Sequence, residues 1–284
     1  MIPIAFEYHR ATSVDDAFKA MAATGGNGKF VAGGHSLVPL MKLRLSEPGT
    51  LIDIARIPEL AGIREAGGQI EIGAATVHHV VATSALLQER CPVVSEAAST
   101  IGDTQVRNRG TIGGSLAHAD PSADLPAVML ALDAEIQLQS ATGSRTVKAV
   151  NFFQGLFTVD LQDSEIITAV RFAPVKAAAY KKLYQKASHY AIVGIAAALD
   201  VKGGKIQSAR IGLTGATTHA VRLSKLEQAL AGQGTTADAI GPATAAAGAE
   251  VQDVNGDIHA SEEYRRAMVG VFAKRAVLAA AARA

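Results

Sequence analysis

The stretch Ala32-Gly33-Gly34-His35-Ser36 constrains this chain more than any other. It follows a short apolar run, Phe30-Val31-Ala32. It precedes Leu37 to Leu45, whose apolar residues recur at roughly helical spacing. A strand therefore feeds a glycine turn and then a helix. Two adjacent glycines let the backbone take positive φ and let a ligand approach main-chain N–H groups with no Cβ in the way. Such a turn can cradle a phosphate, although a Gly-Gly pair between a strand and a helix is more often a tight connection. A second stretch of the same kind, Gly110-Thr111-Ile112-Gly113-Gly114-Ser115, raises the ligand reading. Neither matches G-x-G-x-x-G or G-x-x-x-x-G-K-[ST], which disfavours an ordinary dinucleotide fold and a P-loop. Two glycine loops far apart in sequence can clamp one diphosphate from two sides.

Composition narrows the partners. With 284 residues and 49% hydrophobic content, the chain can bury a sizeable core and is expected to form two or three lobes. Its net charge of +1, from 27 basic and 26 acidic residues spread along the chain, leaves no footprint for nucleic acid or a membrane surface. The N-terminus lacks an export signal, and the longest apolar stretch, Tyr190 to Asp200, is too short to span a bilayer. A soluble, cytoplasmic protein is expected. Cys91 is the single cysteine, so the chain holds no intrachain disulfide and no cysteine-ligated iron–sulfur or zinc site. None of the eight histidines shows metal-site spacing, and the adjacent His78-His79 read as helix-start residues after Thr76. No metal ligands are assigned.

Residues Ala11 to Ala23 are expected to be helical, with Ser13 as cap and Val14, Ala17, Phe18 and Met21 on one face. With the strands around Val31 and at Thr50 to Ile54, this makes a strand–helix–strand unit. A hairpin turning at Gly67-Gly68 opens a second subdomain. Helices at Thr76 to Leu87 and Val93 to Ile101 follow, then the second glycine stretch. The run His118 to Pro126, with two prolines and two aspartates, spells turn and helix cap. Strands at Ala134 to Leu138, Arg145 to Val150 and Glu165 to Phe172 complete the subdomain before Pro174. Beyond Tyr180, two strands joined at Gly203-Gly204 lead to alanine-rich helices, from Val221 to Ala231 and from Thr236 to Ala249. A last helix from about Ser261 turns Met268, Val271, Phe272 and Leu278 inward.

These motifs carry a resemblance. Ala32 to Leu37, the following Met41-Lys42-Leu43-Arg44, and Gln105-Val106-Arg107-Asn108 leading into Thr111-Ile112-Gly113-Gly114 resemble the FAD-binding medium subunit of molybdenum hydroxylases, of the carbon monoxide dehydrogenase and xanthine dehydrogenase type. The similarity runs end to end, through Ala119-Asp120-Pro121-x-x-Asp124-x-Pro126 to Tyr264-Arg265-Arg266-x-Met268. It implies an α+β chain. A two-lobed FAD-binding domain of vanillyl-alcohol-oxidase or PCMH-like fold would span 1–176, with subdomains at about 1–57 and 58–176. A smaller α+β C-terminal domain, an antiparallel sheet with helices, would span 177–284.

The resemblance also assigns residues. Ala32, Gly33, Gly34, His35 and Ser36, together with Thr111, Ile112, Gly113, Gly114 and Ser115, are expected to hold the FAD diphosphate. Asp124 is expected on the flavin's polar chain, with Lys182 and Tyr190 near the flavin. Ser115 stands where many relatives have Asn, and His189 where many have Asp just before the aromatic residue. No catalytic acid, base or nucleophile is expected here, and His35 reads as a loop residue. The flavin would pass electrons from the [2Fe-2S] clusters of a small subunit, fed by a molybdenum-cofactor large subunit, to an external acceptor. The assembly would be a dimer of heterotrimers, with CO, an aldehyde or an N-heterocycle as substrate of the complex. A self-sufficient flavin oxidase or reductase and a non-catalytic nucleotide-binding module are the rivals.

Overall fold

The computed structural model describes residues 2–284. Its first unit contains β1 (Glu7–Arg10), α1 (Val14–Ala23), β2 (Gly28–Val31), α2 (Leu37–Lys42) and β3 (Thr50–Asp53). Helix α1 starts where expected because the Ser13 hydroxyl accepts the N–H of Asp16. All three strands run parallel, in the order β1-β3-β2. Strand β1 is an addition to the sequence reading. Its four residues are all exposed, so no apolar alternation announces it.

The second subdomain comprises β4 (Ile63–Ala66), β5 (Gln69–Gly73), α3 (His78–Thr83), α4 (Ala85–Arg90), α5 (Pro92–Ser99), α6 (Thr104–Arg107), α7 (Ile112–His118), α8 (Asp124–Ala131), β6 (Glu135–Ser140), β7 (Gly143–Lys148), α9 (Ala149–Phe152), β8 (Phe153–Gly155), β9 (Thr158–Val159) and β10 (Ile166–Phe172). An antiparallel sheet of order β4-β5-β10-β6-β7 forms its floor. Gly67 and Gly68 both take positive φ at the β4–β5 turn, the backbone that a two-residue hairpin requires. The single helix expected from Thr76 to Leu87 is two helices. Ser84 takes an extended backbone and caps α4 through its side chain, and that competes with continuing α3.

The C-terminal domain is an antiparallel meander of β11 (Ala178–Tyr184), β12 (Ala191–Lys202), β13 (Lys205–Thr214) and β14 (Val221–Arg222). Helices α10 (Ser224–Leu230), α11 (Ala237–Glu250) and α12 (Glu262–Ala281) complete it. The helix expected from Val221 starts only at Ser224, because Val221 and Arg222 pair with β13 as β14. In α12 the buried stripe is Val269, Phe272, Ala273, Ala276, Val277 and Ala280, while Val271 faces outward. Small alanines carry that face because β12 lies against it. No helix of the described residues is long and apolar enough to cross a membrane.

The two domains share core and polar ties. Ala178, Tyr180, Ala196 and Ala198 pack into the same buried cluster as α5, α7 and α8. Glu96 on α5 accepts the Tyr180 N–H at 3.0 Å and pairs with Arg283 just past α12.

Candidate functional site

Chain leaving β2 enters the first glycine stretch. Gly34 has φ +73°, a left-handed backbone that suits glycine, with Val38 close by. The carbonyls of Gly34 and Ser36 start α2 by accepting from Val38 and Leu40. The N–H groups of Gly33, Gly34, His35 and Ser36 find no protein acceptor among the described residues. The Ser36 hydroxyl does not cap α2 either. Four consecutive main-chain donors and one hydroxyl are thus available to a ligand or to water. His35 is exposed, and its Nδ1 lies 3.1 Å from the Gly33 carbonyl, which ties it to its own loop.

The second stretch departs from the expected loop. Gly113 and Gly114 form the first turn of α7, because the Thr111 hydroxyl caps that helix by accepting the Gly114 N–H at 3.1 Å. The N–H of Ile112 donates to the Thr76 carbonyl and that of Gly113 to the Ala74 carbonyl, so these donors are already used. Gly113 is required by packing, since a Cβ there would overlap Ala74 at the end of β5. Gly114 is exposed and Ser115 half-buried, so these two present the outward face of the turn.

The two stretches meet. A Cβ on Gly33 would overlap the carbonyl of Arg109 and the Cα of Gly110. Gly110 is in turn pinned by His78, whose N–H donates to its carbonyl at 2.9 Å and whose ring fills the place a Cβ on Gly110 would take. The His78 imidazole is buried, and its Nδ1 has no partner among the described residues. Burial, followed by nearby His35 and Arg107, lowers its pKa to about 4 and keeps it neutral. Sequence reading placed His78 at a helix start without giving it this contact, which only the fold reveals.

At the far end of α7, seven residues or about 10 Å along, the remaining expected residues gather. Asp124 opens α8 and is fully buried, where its carboxylate accepts from the Tyr180 hydroxyl at 2.5 Å. The Lys182 ammonium lies 3.0 Å from both of its oxygens and also donates to the carbonyls of Thr100 and His189. Burial pushes the Asp124 carboxyl up, against the opposing pull of Lys182 and Tyr180. Tyr180 went unread in the sequence, because its role depends on where β11 crosses α8. Tyr190 is half exposed, and burial and then Asp120 and Asp124 raise its phenol. It lines a cleft of about 280 Å³ that also touches Asp120, Ser122, Asp257 and Arg265, with walls from both domains. The expected residues thus form two groups: the glycine stretches at the start of α7, and Asp124, Lys182 and Tyr190 beyond its end.

Residues 4–174 match the family of the FAD binding domain in molybdopterin dehydrogenase, and residues 178–280 match the CO dehydrogenase flavoprotein C-terminal domain. The chain is 42% identical to the carbon monoxide dehydrogenase medium chain of Hydrogenophaga pseudoflava, covering 100% of this chain and 99% of that one. It is 38% identical to the carbon monoxide dehydrogenase medium chain of Afipia carboxidovorans, with 100% and 99% covered. Among solved structures, the carbon monoxide dehydrogenase from Hydrogenophaga pseudoflava that lacks the Mo-pyranopterin moiety of its molybdenum cofactor superposes with a TM-score of 0.94. That match is at 42% identity and covers 100% of this chain and 99% of the other.

Proposed function

This chain belongs to the FAD-binding family of molybdopterin dehydrogenases, and on that premise we propose that it is the flavin-carrying medium subunit of a molybdenum hydroxylase, most like that of carbon monoxide dehydrogenase. The observation that carries this is the meeting of Gly33 with Arg109 and Gly110 beside four unpaired main-chain N–H groups. A site of unpaired donors walled by glycine suits a diphosphate, so the residues present fit FAD.

In this reading the N–H groups of Gly33 to Ser36 and the Ser36 hydroxyl bind the diphosphate. Gly114 and Ser115 offer a second side without a bulky Cβ. Thr111 and Ile112 act by shaping the α7 turn, Ala32 leads into the first loop, and the His35 ring ties back to the Gly33 carbonyl within it. Asp124 and Lys182, buried against each other beyond the end of α7, brace the wall at the flavin's polar chain and ring rather than touching it, with Tyr190 beside them in the cleft. Bound FAD supplies an isoalloxazine that takes up and hands on electrons, while the protein supplies position and electrostatics. No residue of this chain is assigned an acid–base role toward substrate.

Electrons enter from another polypeptide, since the single cysteine cannot hold an iron–sulfur cluster. A [2Fe-2S] small subunit and a molybdenum-cofactor large subunit, two copies of each beside this chain, complete the assembly, which we place in the cytoplasm. The end of one family match at residue 174 and the start of the next at 178 support a domain boundary near 176. The test is the visible spectrum of the purified chain. Stoichiometric flavin supports the assignment, and a chain that takes up no FAD refutes it.

A further inference from the structure

We infer that His189 is a positioning residue that fastens the loop between β11 and β12 onto the FAD-binding domain and thereby holds Tyr190 at the flavin end of the site. The inference rests on the reading that FAD occupies the glycine stretches.

The loop is closed on itself first. The Gln185 N–H donates to the Tyr190 carbonyl at 2.9 Å, and the His189 N–H to the Gln185 carbonyl at 2.8 Å. The Gln185 side-chain oxygen accepts from the N–H groups of Ala187 and Ser188 at 2.6 and 2.7 Å. These bonds shape the loop without attaching it to the other domain. Two bonds attach it there: the Ala191 N–H donates to the Ser122 carbonyl at 3.3 Å, and His189 supplies the side-chain tie. Its Nδ1 lies 2.8 Å from the carbonyl of Gly102, between α5 and α6 of the FAD-binding domain. A carbonyl only accepts, so Nδ1 carries the proton in this contact. The ring also meets Tyr184 edge-on, at 5.5 Å and 84°. The backbone at His189 has φ +61°, a left-handed conformation uncommon for a residue with a Cβ. The side-chain contacts of His189 offset that strain, and the same backbone delivers its carbonyl to the Lys182 ammonium at 2.7 Å.

Tyr190 is the next residue, and its phenol sits within the influence of Asp120 and Asp124. Tyr190 lies between the His189 tie and the bond of Ala191 to Ser122, so loosening His189 frees it on one side. A carboxylate at this position would have no proton for the Gly102 carbonyl, so the attachment depends on the imidazole.

Two substitutions separate the backbone from the side-chain bond. His189→Gly tolerates φ +61° and leaves Gly102 without its donor. His189→Asn also tolerates it and places an amide nitrogen where Nδ1 stands. On the full chain loaded with FAD, the release rate and the fluorescence of bound flavin are measured. His189→Gly is expected to release FAD roughly threefold to tenfold faster, the worth of one hydrogen bond. Its bound flavin is expected to brighten as Tyr190 moves away, while His189→Asn matches the parent in both. If His189→Gly is indistinguishable from the parent, or if His189→Asn behaves like His189→Gly, the positioning role is wrong and the cofactor reading stands. A parent chain that binds no FAD overturns both.

Discussion

The ammonium of Lys182, on the first strand of the C-terminal domain, lies 3.0 Å from both carboxylate oxygens of Asp124, on the first turn of α8 in the FAD-binding domain. Both side chains are almost wholly shielded from solvent, at 4% and 5% exposed. Removing one partner of such a pair strands the other charge. Asp124→Ala is expected to cost about 3–5 kcal/mol in urea denaturation. Asp120→Ala, which loses a bond to the Ser122 N–H, should cost about 1 kcal/mol. The Asp124→Ala chain should also retain less FAD than the Asp120→Ala chain. Equal effects on both readouts would reduce Asp124 to a helix-start residue.

Glycines of the two stretches should differ according to what a Cβ meets. Gly33→Ala drives into the Arg109 carbonyl and Gly113→Ala into Ala74, both fixed backbone neighbours. Gly114→Ala meets only the Thr111 hydroxyl, and the α7 cap lost when that hydroxyl turns aside is offset by alanine's better helix propensity. The first two are expected to lose about 1–3 kcal/mol of stability and most of their flavin, the third much less of either. Denaturation midpoints and the flavin-to-protein absorbance ratio report both. A Gly114→Ala chain as damaged as Gly113→Ala would contradict the packing role assigned to Gly113.

His78 gives a pH dependence with a fixed sign. Its pKa falls from 6.5 to about 4 on folding, so above 6.5 neither state binds a proton there. As pH drops from 6.5 toward 4 only the unfolded chain is protonated, and stability is lost by up to about 3 kcal/mol. His78→Leu should flatten that part of the stability profile relative to the parent. Parallel profiles for the two chains would show that His78 is not held neutral.

Local chemistry was legible in the sequence, and contacts set by tertiary packing were not. The Ser13 cap, the Gly67-Gly68 turn and the first glycine stretch depend on residues within a few positions of one another, and the structure has all three. The break at Ser84 is not legible locally, because Ser in a helical pattern can cap or continue, and here its extended backbone and side-chain cap end α3 and start α4. The second glycine pair read as a loop because nothing local says that the Ala74 and Thr76 carbonyls will take its N–H groups. Tyr180 and His78 carry no motif, and their parts at the site follow from strand and helix placement alone.

The central claim is that this chain holds FAD as an electron-carrying subunit and leaves substrate chemistry to its partners. The most direct test loads the purified chain with FAD, confirms its reduction by an artificial reductant, and then offers CO, aldehydes and N-heterocycles with no other subunit present. The expected result is one flavin per chain that the artificial reductant bleaches and none of the substrates does. Substrate-dependent bleaching by the isolated chain would contradict the claim and make it a self-sufficient flavin oxidase.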